Sequence, residues 1–162
     1  MQTSSLKAGQ IKLIVLTLFL SIVQLLINSS SIIYADLLGV FLVVLLVNQF
    51  CLYRQLIIIA FFADIVGHWY LGTHLFSLIT ISFLADKYFN FYKISNVFQK
   101  IISIIVFYSL FNGVITIIGL LTHNIRVDTL SFIIEIIVLC PIMFAIVGKI
   151  LGLSTVDTLF ND

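Results

Sequence analysis

Residues 60–77 read AFFADIVGHWYLGTHLFS, and what this stretch means decides what kind of molecule the chain makes. Asp64 stands inside an otherwise apolar helical run, a turn containing Gly67 follows, and a second apolar run leaves by Leu71-Gly72. On a helix in water such an aspartate is ordinary. Inside a bilayer a carboxylate is costly, and by default it marks a functional site. The solvent around the helix is therefore the first question.

Composition answers it. The 162 residues are 62% hydrophobic and 9% charged, with a mean hydropathy of +1.25. A soluble domain carries about 25% charged residues. Surface this apolar needs lipid, which makes the chain an integral membrane protein. At about 20 residues per spanning helix, the length allows six spans with short connections. One transmembrane domain over residues 1–162 is expected, without a soluble one. A net charge of +1 says nothing about nucleic acid, and the sequence holds no basic block to bind it, so no nucleic-acid partner is expected. Cys51 and Cys140 lie in separate apolar runs with no CxxC pattern and read as inert thiols. The opening MQTSSLKAGQIK precedes an apolar run like the core of a signal peptide. No A-x-A site follows, so a retained first span is expected.

Working outward, the expected spans are 11–27, 36–53, 56–69, 73–91, 101–121 and 130–151. The cluster Asn28-Ser29-Ser30-Ser31 ends the first. Asp36 stands where an N-cap would favour the second helix. Arg54-Gln55 reads as a tight hairpin, because Arg is poorly tolerated at membrane depth. A linker with Lys93, Ser95, Asn96, Gln99 and Lys100 precedes the fifth span, and the loop at residues 123–128 precedes the sixth. If the N-terminus is cytoplasmic, Lys7, Lys12, Arg54, Lys87, Lys93, Lys100 and Lys149 share its side, leaving only Arg126 opposite. That bias predicts six helices with both termini cytoplasmic. Tyr34, Trp69, Tyr70, Tyr88 and Tyr92 fall near the expected interfaces.

Small and polar side chains mark helix faces that meet protein rather than lipid. Ala60, Asp64 and Gly67 share one face of the third span. Thr73, Ser77 and Thr80 share one on the fourth. Ser109, Asn112, Thr116 and Gly119 form the clearest stripe, on the fifth, with Asn112 read as bundle packing. On the sixth, Ser131 and Glu135 share a face, and Pro141 is expected to kink the helix or open its ladder. The first span, nearly featureless, is expected at the rim. With this threading Asp36, Asp64, His68, His74, His123, Arg126, Asp128 and Glu135 all gather in the outer half.

Three chemical classes fit such a cluster. A membrane hydrolase would use two carboxylates as acid and base, yet the Asn-x-x-Asp boxes of lipoprotein signal peptidases have no counterpart here. Structural carboxylates would satisfy helix ends, neighbouring polar groups or Arg126. The substrate-binding subunits of energy-coupling-factor vitamin transporters offer the third comparison, with six short helices and no chemistry of their own. His68 and His74 lack the i, i+4 spacing of paired zinc ligands and read as interfacial, solvated residues. No motif for a cofactor, a metal or a nucleophile with its base appears.

Three stretches together resemble the bacterial rod shape-determining MreD family. Tyr34-Ala35-Asp36-Leu37-Leu38 resembles the family's Pro-Asp-Leu-Leu at the start of its second span. Asp64-Ile65-Val66 followed by Leu71-Gly72-Thr73-His74 resembles its Asp-Leu…Leu-Gly signature, and Cys140-Pro141 its apolar-Pro pair. The sequence departs from the family at Ala35, where a proline is usual, and at Ala60 and Leu56, where glycines are. The resemblance implies a six-helix fold similar to those vitamin-binding subunits, without enzymatic activity. It also implies an inner-membrane scaffold for cell elongation and peptidoglycan synthesis. The implied partner is MreC, with MreB and the elongation peptidoglycan synthases in the same complex. Asp36, Asp64, Gly67, Leu71, Gly72, His74, Asn112, Glu135 and Pro141 are the candidates for partner contact or for the packing that presents it.

Overall fold

Where neither water nor a sheet partner is at hand, a backbone satisfies its own N–H and C=O groups by coiling into helices. The computed structural model describes residues 2–29, 34–49, 53–67, 70–91, 96–122 and 129–151, and no strand occurs among them. The helices are α1 (Gln2–Ser29), α2 (Leu37–Val47), α3 (Tyr53–Val66), α4 (Thr73–Phe91), α5 (Val97–Leu121), α6 (Thr129–Ile134) and α7 (Cys140–Leu151). A π-helical segment, Glu135–Leu139, joins the last two into one continuous rod. Expectations placed on Cys51, His68, Trp69, Tyr92, Lys93, Ser95, His123, Arg126 and Asp128 lie outside the described residues.

Among the described residues, three helices are long and apolar enough to cross a membrane: Gly9–Ser29, Val97–Leu121 and Thr129–Leu151. The sequence expects an 18-residue second span over 36–53. The helix there has 11 residues and ends at Val47, with Asn48 and Gln49 in a turn. At 1.5 Å per residue it rises about 16 Å, half a hydrocarbon core. All 11 residues are buried. α2 is apolar on every side because it is the centre of the bundle, packed against α1, α3, α4, α5, α7 and the π segment. Arg54 also differs from expectation: it lies in the first turn of α3, and the chain turns before it.

The packed faces follow the small-residue rule unevenly. On α3, Ala60, Ala63 and Asp64 are fully buried. On α4, Thr73, His74, Ser77, Leu78, Ile81 and Ala85 face inward, while Thr80 stays at the edge. On α5 the expected stripe coincides with the packed face only at Gly119. Ile104, Phe107, Tyr108, Phe111, Ile115 and Gly119 are buried, whereas Ser109, Asn112 and Thr116 lie half-exposed along the margin. Ser109 and Thr116 can stand there because their hydroxyls each donate to the carbonyl four residues back, at 2.8 Å, as those of buried Thr17, Ser21 and Ser77 also do. A hydroxyl satisfied within its own helix needs no neighbour.

α1 is the opposite case. Its outer side carries exposed Ile14, Leu18, Phe19, Ile22 and Leu26, as a lipid-facing helix should. Its inner side buries Leu13, Leu16, Thr17, Leu20, Ser21 and Gln24. The rim helix is therefore not featureless, because Thr17, Ser21, Gln24 and Asn28 form a polar stripe along it.

Pro141 has no N–H to give and its ring crowds the preceding turn. The ladder is widened just before it, where the Cys140 N–H reaches back five residues to the Glu135 carbonyl. Such π-bulges recur at functional sites, and this one begins at Glu135.

Candidate functional site

Two helix N-termini meet beside α3, and each is capped by an aspartate. Asp36 precedes α2 and accepts the Gly39 N–H through Oδ1 at 2.9 Å. Asp64, on α3, caps α4 from outside that helix. Its Oδ2 accepts the Gly72 N–H at 2.6 Å and its Oδ1 the His74 N–H at 2.9 Å. The first N–H groups of a helix have no partner within it, and the helix dipole favours negative charge there. Gly72 has φ +98°, a left-handed conformation that favours glycine and turns the chain back over Asp64.

His74 ties the two caps together. Its Nδ1 lies 2.7 Å from Asp64 Oδ1 and its Nε2 3.0 Å from Asp36 Oδ2. Both His74 and Asp64 are 0% exposed. The expectation of a solvated, interfacial His74 is thus corrected, since carboxylates inside the bundle engage the polar atoms that water would. The Phe111 ring stands 5.6 Å from the imidazole and closes its apolar side.

Glu135 extends the cluster. Its Oε1 accepts the Asp36 N–H at 2.7 Å and its Oε2 accepts the Tyr108 hydroxyl at 2.7 Å. On the far side Gln24 Oε1 accepts the Leu38 N–H, and Asn28 Oδ1 the Ala35 N–H, each at 2.9 Å. Tyr34 donates to the Gly67 carbonyl at 3.0 Å, fastening the end of α3. One connected polar unit therefore draws on α1, α3, α4, α5, the π segment and the start of α2.

Of the residues singled out in the sequence, Asp36, Asp64, Gly67, Gly72, His74 and Glu135 come together here. Pro141 joins through the π turn that begins at Glu135. Leu71 sits at the surface, 70% exposed, beside the capped turn. Asn112 stays apart, half-exposed on α5. Asp64 and Glu135 accept backbone N–H groups at two different helix starts.

Gln24, Asn28, Gly39 and Tyr108 were not singled out in the sequence. The first two carry a signal, because the i, i+4 and i+7 spacing read on the third and fourth spans also picks out Thr17, Ser21 and Gln24, with Asn28 one turn further on. Gly39 occupies the third helical position, where the side chain of an N-cap lands, and a Cβ there would collide with the Asp36 carboxylate. Tyr108 carries none.

No protein-family model, no curated protein and no solved structure matches the chain.

Proposed function

We propose that this chain is a non-enzymatic scaffold of the MreD type. In this reading it lies in the bacterial inner membrane as six helices with both termini cytoplasmic, and it acts with MreC in cell elongation alongside MreB and the peptidoglycan synthases. One observation carries the reading. The stretches behind the resemblance, far apart in sequence, meet in one hydrogen-bonded unit: Asp36 at 3.0 Å and Asp64 at 2.7 Å from His74, with Glu135, six residues before Pro141, on the Asp36 amide. Both aspartates are committed to holding helix starts, which suits a rigid platform better than a site of turnover.

A buried platform presents surface rather than touching a partner itself. Exposed Leu71 and Tyr70, held beside the capped turn, are where a partner helix would rest. The test is co-purification with MreC, with cell shape as second readout, in a rod-shaped bacterium lacking its own MreD. Leu71→Lys should lose MreC while keeping thermal stability, whereas Asp64→Ala should lose both. A Leu71→Lys chain that binds MreC and supports rod shape like wild type would remove the docking surface. A wild-type chain that neither recovers MreC nor supports rod shape would remove the reading.

The vitamin-transport reading has one observation in its favour. The Gln24 Nε2 and Asn28 Nδ2 donors are buried beside the polar unit without an acceptor among the described residues. A small molecule released from the purified chain on denaturation would favour it.

A further inference from the structure

Each contact between an imidazole nitrogen and a carboxylate oxygen needs one hydrogen between them, because two lone pairs face to face repel. A neutral imidazole carries one N–H; an imidazolium carries two. His74 makes two such contacts, to Asp64 and Asp36. Three side chains thus require one hydrogen more than a neutral ring and two carboxylates supply. We propose that Asp36, His74 and Asp64 form a binding site for a single proton that latches the start of α2 to α3 and α4. This goes beyond the scaffold reading and does not rest on it.

Electrostatics agrees with the count. Two helix N-termini face the site, each equivalent to about half a positive charge. With its proton the triple carries one negative charge and is close to balanced; without it, one charge is left over. Among the described residues, the other titratable groups facing the site are Glu135, from the π segment through the Asp36 amide, Tyr108, from α5 on Glu135, and Cys140, from α7 beside Glu135. α1 contributes the neutral amide of Gln24, and α5 also the Phe111 ring.

The geometry also points to which contact opens. His74 is held to Asp64 twice, by its ring at 2.7 Å and by its own N–H at 2.9 Å. On losing the proton the ring keeps Nδ1–H toward Asp64 and turns a bare Nε2 on Asp36. Asp36 carries the first turn of α2 through Gly39, so that end of the central helix is released.

Asp36→Asn separates this from simple packing. The Asn oxygen can still accept the Gly39 N–H, and its amide can donate to a bare Nε2, so every contact survives without the extra proton. Asp64→Asn has no such solution, since both Asp64 oxygens already accept backbone N–H groups. The experiment is nitrogen NMR of labelled histidine in the full chain in lipid nanodiscs, with His68→Gln and His123→Gln leaving His74 as the one reporter. At neutral pH the expected result is two N–H groups on the ring, and one in Asp36→Asn. A neutral ring with a protonated Asp36 or Asp64 carboxyl also supports the site, since the proposal fixes the proton count. A neutral ring between two ionised carboxylates overturns it, and so does an Asp36→Asn ring that keeps both hydrogens. If Asp36→Asn fails to fold, the wild-type nitrogen spectrum, with carboxyl-carbon NMR of labelled aspartate for a neutral ring, decides the count. For the latch, amide exchange at Leu38 and Gly39 should rise about tenfold when the second hydrogen is lost, the scale of one charge-assisted hydrogen bond. The rise is measured beyond the intrinsic base dependence and should be missing in Asp36→Asn. Equal exchange in both chains, or no rise in wild type, overturns the latch.

Discussion

The two ends of α2 solve the same problem in different ways. At its start, backbone donors are met from a distance: Glu135 takes the Asp36 N–H, Gln24 the Leu38 N–H and Asn28 the Ala35 N–H. At its finish everything is local. The Asn48 N–H returns to the Val44 carbonyl at 3.2 Å, the Gln49 N–H to Leu46 at 3.0 Å, and the Asn48 amide to Val44 at 2.8 Å. Asn48 is half-exposed and Gln49 exposed, while Asp36 is buried. A helix end near water can fray at little cost. One sunk in protein must have each donor met by a named side chain, or lose about 1–3 kcal/mol per orphan. The start of α2 should therefore be sensitive to mutation and its finish tolerant.

The largest break in that contrast should come from Asp64→Ala. It uncaps α4 at two N–H groups and strips His74 of one partner while leaving it buried. Removing one member of a buried charged pair costs ~3–5 kcal/mol. Thermal unfolding in nanodiscs should show it as the least stable single variant of the set.

Next comes Glu135→Ala, which orphans the Asp36 N–H and the Tyr108 hydroxyl together and should cost ~2–3 kcal/mol. Glu135→Gln is the sharper partner experiment. Its oxygen can still accept from Asp36, and its amide can donate to the Tyr108 oxygen, leaving only the Tyr108 O–H without its acceptor, so the loss should be smaller, about 1 kcal/mol. Comparable losses in the two variants would mean that charge, not hydrogen bonding, is what Glu135 contributes.

Gly39→Ala tests the cap from inside. In an ordinary helix this change is favourable by roughly 0.5–1 kcal/mol. Here the added Cβ meets the Asp36 carboxylate, which has His74 on one oxygen and Gly39 on the other and little room to withdraw. The sign should reverse, with a loss of ~1–3 kcal/mol as for other overpacked positions. A stabilised Gly39→Ala chain would show that Asp36 is looser than its contacts imply.

How far the sequence reaches can be seen in the same region. Asp36 as a cap and the Ala60-Asp64-Gly67 face are legible, because capping and small-residue spacing are local rules. The burial of α2 is not. Its run is more apolar than that of α5, and from sequence a run so apolar reads as a lipid span as readily as a helix enclosed by protein. Nor does the sequence reveal that Asp36, His74 and Asp64 meet. Each reaches the others across turns and helix packing, which no spacing along the chain encodes. The α5 stripe misleads for a related reason, since Ser and Thr can satisfy themselves within their own helix. Gln24 and Asn28, whose amide oxygens accept backbone N–H groups at the start of α2, are polar residues that mark a contact between helices.

The smallest effect belongs to the tolerant end, and its sign is informative. Gln49 has φ +50°, in the left-handed region where a side chain costs about 1–2 kcal/mol and glycine almost nothing. Its N–H bond to Leu46 is a backbone bond that glycine keeps. Gln49→Gly should therefore leave stability unchanged or raise it by up to ~1 kcal/mol, the relief offset by the extra freedom glycine has in the unfolded chain. The same logic inverted applies to Gly72 at φ +98°, which is tied to Asp64 and should tolerate no side chain. If Gln49→Gly instead destabilises the protein by more than about 1 kcal/mol, the finish of α2 is held as tightly as its start. The difference between wet and buried helix ends would then not be what sets their tolerance.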